Sequence, residues 1–125
     1  MEKVILDTNI LIEILKGDKR TIAKVESLKR ELCISSITAM ELFYGARDRA
    51  EVKKLEKFIL LFTLLYPDEA LSRKAMELVK QYAKSHSLDI PDSLIAATAL
   101  TQNCELFTYN IKDFRYIDGL KLVEP

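Results

Sequence analysis

Short apolar runs alternate along the chain with longer amphipathic segments. The first run, residues 4–6, is apolar and largely β-branched and precedes a carboxylate, which is typical of a strand buried on both faces of a sheet. Longer segments follow in which apolar residues recur every three or four positions, as in an amphipathic helix. This alternation predicts an α/β domain with a mainly parallel sheet. The predicted strands, about five in number, cover residues 4–6, 32–34, 63–66, 106–108 and 121–123, the last of them at an edge.

Helices are predicted between these strands. The first ends at Gly17, and a later one begins at the hydroxyl caps Ser35 and Ser36 and runs towards Gly45. After Pro91, Asp92 opens an alanine-rich helix that is suited to close packing against the sheet. The remaining helices are predicted near residues 21–30, 48–61 and 68–85.

Length and composition are those of a compact single-domain protein. With 125 residues, 49% of them hydrophobic, and only three Gly and three Pro, the sequence predicts one folded domain over residues 1–125. Its longest apolar run, residues 58–66, has nine positions and is too short to span a bilayer as a helix. The first residues lack the basic head of a secretory signal, so we expect a cytoplasmic protein.

Cysteine, histidine and charge content exclude several classes of chemistry. Cys33 and Cys104 lie in apolar stretches and are expected to be free, buried thiols. The single histidine, His86, is expected at the surface, and with two separated cysteines it cannot form a four-ligand zinc site. Nineteen basic and nineteen acidic residues give zero formal charge. If bound metal neutralised four acids, fifteen acids would face nineteen bases, and the surplus of four positive charges would favour an anionic ligand.

Four acidic residues are placed where such a fold binds ligands. Ligands of an open parallel sheet bind beyond the carboxyl ends of its strands. Asp7 directly follows the first strand, and Asp113 follows the fourth. Asp92 opens the helix after Pro91, and Glu41 lies within the helix that follows the second strand. We therefore expect these four carboxylates to converge on one cleft.

Each of these acids also has a structural interpretation. Asp7 and Asp92 can each cap a helix, and Asp113 can be a turn residue. Glu41 differs, because it lies among apolar residues with no basic residue within four positions on either side. We interpret it as a buried carboxylate that needs a cation. A cluster of oxygen ligands without nearby basic partners is what Mg²⁺ or Mn²⁺ binds, and such an ion suits phosphodiester hydrolysis.

Four segments of the chain resemble the PIN-domain ribonucleases, and among them the VapC-type toxins of prokaryotic toxin–antitoxin modules. The segments are VILDTNILIEIL, ISSITAMELFYGARD, DSLIAATAL and LFTYNIKDF. The resemblance covers nearly the whole chain, and it implies that the catalytic metal ligands are Asp7, Glu41, Asp92 and Asp113. It further implies that five polar residues support these ligands or contact the substrate: Thr8, Asn9, Ser36, Thr108 and Asn110.

The same resemblance implies a three-layer α/β/α sandwich and a Mg²⁺- or Mn²⁺-dependent endoribonuclease. The expected partners are an RNA substrate, a second copy of the chain in a homodimer, and a VapB-type antitoxin. Family members differ in whether the position of Asn110 or that of Asp113 supplies the fourth ligand, and we expect Asp113. Two groups of basic residues either bind the RNA backbone or form a solvated face: Lys16, Lys19 and Arg20, and Arg47, Arg49, Lys53 and Lys54.

Three alternative classes compete with this interpretation. A response-regulator receiver domain has a similar length and clustered acids, but it needs a pair of acids after the first strand, where this chain has only Asp7. A non-catalytic RNA-binding or scaffolding PIN module has no reason to keep four self-repelling acids. A structure-specific DNA nuclease carries duplex-binding insertions for which this chain has no room.

Overall fold

A four-stranded parallel sheet forms the centre of the molecule in the computed structural model, which describes residues 1–124. Its strands are β1 (Lys3–Leu6), β2 (Glu31–Ser35), β3 (Thr63–Leu65) and β4 (Glu105–Phe107). They lie in the order β3-β2-β1-β4, and every pair is parallel, as the sequence predicts. Parallel neighbours need crossover connections, and helices supply each of them here.

Helices occupy the segments between the strands. They are α1 (Thr8–Leu15), α2 (Lys19–Leu28), α3 (Ser36–Tyr44), α4 (Arg49–Ile59), α5 (Glu69–His86) and α6 (Ile90–Gln102). A short 3₁₀ turn, Ile111–Asp113, follows β4. The six predicted helices are all present, with ends that shift by a few residues.

Alternating side chains of the strands build a core on each face of the sheet. In β1, Ile5 packs on the face covered by α5 and α6, whereas Val4 and Leu6 pack on the face covered by α1, α2 and α4. All three side chains are fully shielded from solvent. The result is the three-layer α/β/α sandwich that the resemblance implies.

The prediction of a fifth strand at residues 121–123 is wrong. This segment makes one isolated parallel bridge, between Leu106 and Leu122, at the outer edge of β4. Backbone hydrogen bonds of 2.9 Å, from Leu106 N–H to Lys121 O and from Val123 N–H to Leu106 O, hold it there. The segment therefore lies at the predicted edge of the sheet but forms a single bridge and not a strand.

Helix α6 begins earlier than predicted. The Asp89 side chain caps it by accepting a hydrogen bond of 2.8 Å from the Asp92 N–H. Pro91 fits the first turn, where a helix needs no backbone donor. Asp92 therefore lies inside the first turn, and its interpretation as the helix cap is wrong.

The thiol and histidine residues lie close to where the sequence places them. Cys33 is buried and Cys104 is half-buried, and both are free thiols. His86 is exposed at the end of α5, where its ring stacks on Tyr116 with centroids 4.1 Å apart. Among residues 1–124, no helix combines the length and the apolar character that crossing a membrane requires.

Candidate active site at the carboxyl edge of the sheet

Asp7 lies at the centre of this edge, immediately after β1. Its backbone N–H donates to Phe107 O at 2.9 Å, which continues the pairing of β1 with β4. Its side chain is only 4% exposed, and one carboxylate oxygen, Oδ1, accepts a hydrogen bond of 2.8 Å from the Thr8 N–H. Asp7 thus caps α1, as the structural interpretation allows, and it also lies where the ligand hypothesis requires it.

Polar side chains from both flanking segments fix the second carboxylate oxygen of Asp7. Oδ2 accepts hydrogen bonds from Thr108 Oγ1 at 2.7 Å and from Asn9 Nδ2 at 3.1 Å. Thr108 Oγ1 in turn accepts from the Asn110 N–H at 3.0 Å, and Asn9 Oδ1 accepts from the Tyr109 N–H at 3.0 Å. This network ties the start of α1 to the segment after β4 and leaves Asp7 little freedom to rotate.

The pKa of Asp7 is set by opposing influences: burial and a neighbouring negative charge raise it, and hydrogen bonds to the carboxylate lower it. Burial raises the pKa of Asp7, the hydrogen bonds from Thr108, Thr8 and Asn9 lower it, and the charge of Asp113 raises it further. The net direction is upward from the usual value. The ionised form of Asp7 is therefore less favourable in the metal-free protein than in water.

Asp92 shows that the predicted acids lie close enough together to repel one another. Burial is the largest cause that raises its pKa to about 7, followed by the charges of Asp89, Asp7, Asp113 and Glu41. The three other predicted ligands are all among these causes. The structure thus brings the four acids to one edge of the sheet, within electrostatic reach of one another.

Glu41 lies within electrostatic reach of Asp92, but the interpretation of it as a buried carboxylate is wrong. The side chain is exposed, and Oε1 accepts a hydrogen bond of 2.7 Å from Thr8 Oγ1. Thr8 Oγ1 also lies 3.1 Å from Thr38 Oγ1. The apolar neighbour Met40 is itself 55% exposed, so the apolar composition of α3 does not mean that the helix is enclosed on all sides.

The remaining predicted residues lie at the rim of the same edge. Asp113 ends the 3₁₀ turn and is exposed, and Asn110 precedes that turn and is also exposed. Ser36 begins α3 and is half-buried, while Ser35 is the residue that caps this helix, accepting from the Ile37 N–H at 3.1 Å. The structure therefore gives Ser36 a position next to the edge and assigns the cap to Ser35.

The groups at this edge that could bind a metal ion are negatively charged carboxylates, whose ligand atoms are oxygens. Within residues 1–124, none of the four predicted acids forms a salt bridge with a Lys or Arg side chain. Over the same residues, no three Asp, Glu, His or Cys side chains enclose a common ion position. The acids share an edge without meeting at one point, and their chemistry fits a hard divalent cation such as Mg²⁺ or Mn²⁺.

Sequence reasoning missed Tyr116. Its hydroxyl is buried and has no hydrogen-bond partner among the described residues. Burial raises its pKa most, and the charges of Asp92, Asp113 and Asp89 raise it further, which places the ring beside the acidic edge. No periodic pattern marks Tyr116, and only its position three residues after Asp113 could have drawn attention to it.

Replacing Thr108 by Val tests the network around Asp7. Thr108→Val keeps the volume of the side chain, which is 1% exposed, but removes the hydroxyl that Asp7 and Asn110 share. We expect the free energy of unfolding to fall by about 1–3 kcal/mol, measured by urea denaturation, because buried polar groups lose their partner. Thr108→Ser should restore most of the loss. Equal stability of the Val variant and the wild type would show that the network is not structural.

The fold and the site together define a class: an α/β/α sandwich with an acidic candidate active site at the carboxyl edge of a parallel sheet. The family model that matches the sequence is that of the PIN domain, over residues 4–120. The chain belongs to the PIN-domain family.

Within this family, the chain is similar to proteins named VapC. The chain is 34% identical to ribonuclease VapC1 of Methanocaldococcus jannaschii, over 98% of this chain and 88% of the relative. It is 30% identical to ribonuclease VapC10 of Mycobacterium tuberculosis, over 94% of this chain and 90% of the relative. A crystal structure of DNA-bound VapBC from Salmonella typhimurium superposes with a TM-score of 0.84 at 29% identity, over 98% of both chains.

Proposed function

We propose that this protein is a VapC-type toxin, an endoribonuclease that hydrolyses RNA phosphodiester bonds with the help of Mg²⁺ or Mn²⁺. Asp7, Glu41, Asp92 and Asp113 would hold the ion. The ribonuclease names of its relatives support RNA as the substrate. When bound, such an ion polarises a phosphate oxygen and lowers the pKa of a water molecule, so no histidine is needed.

Uncompensated negative charge at the edge is the observation that carries this proposal. The neutral form of Asp92 is favoured, with a pKa of about 7. The main cause is partial burial, and the second is the charge of the neighbouring carboxylates. Within residues 1–124, no Lys or Arg pairs with any of the four acids. A folded chain that keeps such repulsion needs a cation to offset it, and oxygen-only donors select a hard divalent ion.

The residues around the carboxylates hold them in place for this chemistry. Thr108 and Asn9 orient Asp7, and Thr8 joins the start of α1 to Glu41 through a hydrogen bond of 2.7 Å. Partners of this kind typically change ion affinity or activity by about 10- to 100-fold when removed. They are therefore positioning residues, and the carboxylates are the groups that would meet the ion.

We also propose a VapB-type antitoxin and a second copy of the chain as partners. A VapBC complex is among the structures that this chain resembles over 98% of its length. Large apolar side chains at the surface suit such contacts, since Leu60 and Leu61 after α4 are 81% and 74% exposed. A toxin that cuts cellular RNA and is held by an antitoxin acts in the cytoplasm, which we propose as its location.

Cleavage of a mixed-sequence single-stranded RNA by the purified chain tests the proposal. We expect cleavage with Mg²⁺ or Mn²⁺, none in EDTA, and a loss of about 100-fold or more in the Asp92→Asn variant, since Asn removes a ligand charge.

Asp48→Asn is the matched control for this experiment. Asp48 caps α4 by accepting from the Glu51 N–H at 2.8 Å and belongs to no proposed ligand set, and Asn is an equally good cap, so this variant should cleave at a rate close to that of the wild type. If the folded wild type cuts no RNA with either ion, the protein is not a general ribonuclease, and the non-catalytic RNA-binding module becomes the better explanation. If both variants lose activity equally, Asp92 has no special role.

A further inference from the structure

An open groove lies on the β4 side of the candidate active site. Its volume of ≈ 550 Å³ is within the range of about 300–1,000 Å³ that is usual for small-ligand sites. One wall is an aromatic ring that directly follows Thr108 in the chain, and the opposite wall comes from α1 and α2. The lining residues are Glu13, Asp18, Arg20, Lys24, Phe107 and Tyr109.

Tyr109 is held in a fixed orientation in this groove. Its hydroxyl lies 2.5 Å from Oγ1 of Thr21, which is fully buried, and its N–H donates to Asn9 Oδ1 at 3.0 Å. The ring meets Phe107 edge to face, with centroids 5.6 Å apart. Even so, Tyr109 is 43% exposed. A rigid and exposed aromatic ring loses little conformational entropy when a flat ligand stacks on it.

The groove carries two acidic and two basic side chains, and neither base is held in a salt bridge within the described part of the chain. Asp18 is engaged as the cap of α2, because it accepts from Thr21 N–H at 3.1 Å and from Thr21 Oγ1 at 2.6 Å. Glu13 lies 3.9 Å from the ammonium group of Lys16. Arg20 and Lys24 form no salt bridge with any carboxylate among residues 1–124. The pKa of Asp18 is lowered first by its hydrogen bonds with Thr21 and then by the charge of Arg20, so Arg20 lies near this carboxylate without forming a salt bridge. A fixed aromatic face beside two cations that are outside any salt bridge is the combination that binds a base and its phosphate.

We propose that this groove binds one nucleotide of single-stranded RNA next to the bond that is cut. The base stacks on Tyr109, and Arg20 and Lys24 meet the phosphate. This inference rests on the proposed ribonuclease function, and it identifies where the strand leaves the acidic edge. Asn9 links the groove to the acidic edge, since its Nδ2 donates to Asp7 Oδ2 at 3.1 Å and its Oδ1 accepts from the Tyr109 N–H at 3.0 Å. Unpaired bases are the ones a protein can stack in this way.

A tryptophan reporter tests the contact directly. The chain contains no Trp, so Tyr109→Trp introduces a single fluorophore into the groove. We expect a short single-stranded RNA to quench its fluorescence in EDTA, where no cleavage occurs, and an abasic backbone of the same length to leave it unchanged. Met76→Trp is the control, since Met76 is 72% exposed on α5 and belongs to no proposed RNA contact, and its fluorescence should not respond to RNA.

Binding measured by fluorescence anisotropy of labelled RNA in EDTA gives the second test. Tyr109→Leu should weaken binding by about tenfold or more, which is the usual effect of removing a stacking ring, and Tyr109→Phe should keep most of it. Thermal melting verifies that each variant folds.

Failure of this inference is distinguishable from failure of the proposed function. The wild type could fail to cut RNA while Tyr109→Leu still lowers RNA affinity and bases still quench the reporter. That result would support the base site in the groove and contradict the proposed ribonuclease activity. If the wild type cuts RNA while Tyr109→Leu binds as tightly as the wild type, the groove is not a base site. A wild type that binds no RNA in EDTA also overturns it, and leaves a peptide of a protein partner as the better occupant.

Discussion

Asp7→Asn is expected to abolish RNA cleavage while leaving the protein folded. Asp7 is the most enclosed of the four proposed ligands, and both of its oxygens are already oriented by hydrogen bonds. Asn keeps the shape and one oxygen but removes the charge that attracts a divalent ion. We expect a loss of at least about 100-fold in kcat/KM on single-stranded RNA, the upper end of what even an outer partner of a ligand costs.

The same substitution should change stability little, because two effects oppose each other. Removing a carboxylate whose pKa is raised by burial relieves a desolvation cost in the metal-free protein. When the Asn oxygen caps α1, its amide nitrogen replaces Oδ2 and cannot accept from Thr108 or Asn9, so the loss of these hydrogen bonds costs stability of the same order. Asn also remains a good cap for α1. We expect the free energy of unfolding in EDTA to change by no more than about 1 kcal/mol.

Asp68→Asn is the control for this prediction. Asp68 caps α5 as Asp7 caps α1, and its side chain accepts from the Leu71 N–H at 2.8 Å, but it belongs to no proposed ligand set. This variant should cut RNA like the wild type. Cleavage by Asp7→Asn at an undiminished rate would remove Asp7 from the site, whereas a variant that unfolds would show that its role in the fold is larger than proposed.

Position in the sheet is what made Asp7 predictable from sequence. A carboxylate directly after a buried apolar run can only lie at the carboxyl edge of a parallel sheet, and the parallel pairing with β2 and β4 places it there. The same reasoning predicts the position of Asp113, which follows β4, the neighbour of β1 in the sheet. Where chain direction and strand order decide the position of a residue, the local sequence is sufficient.

Burial of helix faces was less predictable. The sequence places Glu41 near the other acids, but its apolar neighbours suggest an enclosed helix, and α3 is in fact open at Met40 and Tyr44. A hydrophobic run shows that some face is buried, but it does not show which face when every face is apolar. Surface apolar residues kept for contacts with other chains produce the same pattern as core residues.

Tyr109 and Tyr116 illustrate what the sequence could not show. Both follow the last strand in a segment without helix or strand periodicity, so no pattern assigns their direction. Tyr109 is fixed by Thr21 of α2, 88 positions earlier, and Tyr116 by packing against Tyr82 and His86 of α5. Contacts between segments so far apart in sequence arise only when the layers assemble.

A divalent ion is expected to stabilise the protein strongly, and this effect identifies the fourth ligand. A ligand present at about 100 times its Kd stabilises the folded state by about 2.7 kcal/mol, which corresponds to a rise in Tm of about 10 °C for a domain of this size. We expect such a rise for the wild type when Mn²⁺ replaces EDTA, because the ion offsets the repulsion at the acidic edge. Differential scanning calorimetry at pH 8, above the pKa of about 7 of Asp92, measures it.

Asp113→Asn should lose most of this rise, while Asn110→Ala should keep it. The charge of Asp113 contributes to raising the pKa of Asp7, Asp92 and Tyr116, so its carboxylate lies within electrostatic reach of the other acids. The contact that Asn110 makes with the network is its backbone N–H to Thr108 Oγ1, which Ala retains. If Asn110→Ala loses the rise and Asp113→Asn keeps it, the fourth ligand is Asn110. If Mn²⁺ stabilises neither the wild type nor the variants, the acidic edge binds no ion, and the repulsion there must serve another purpose than catalysis.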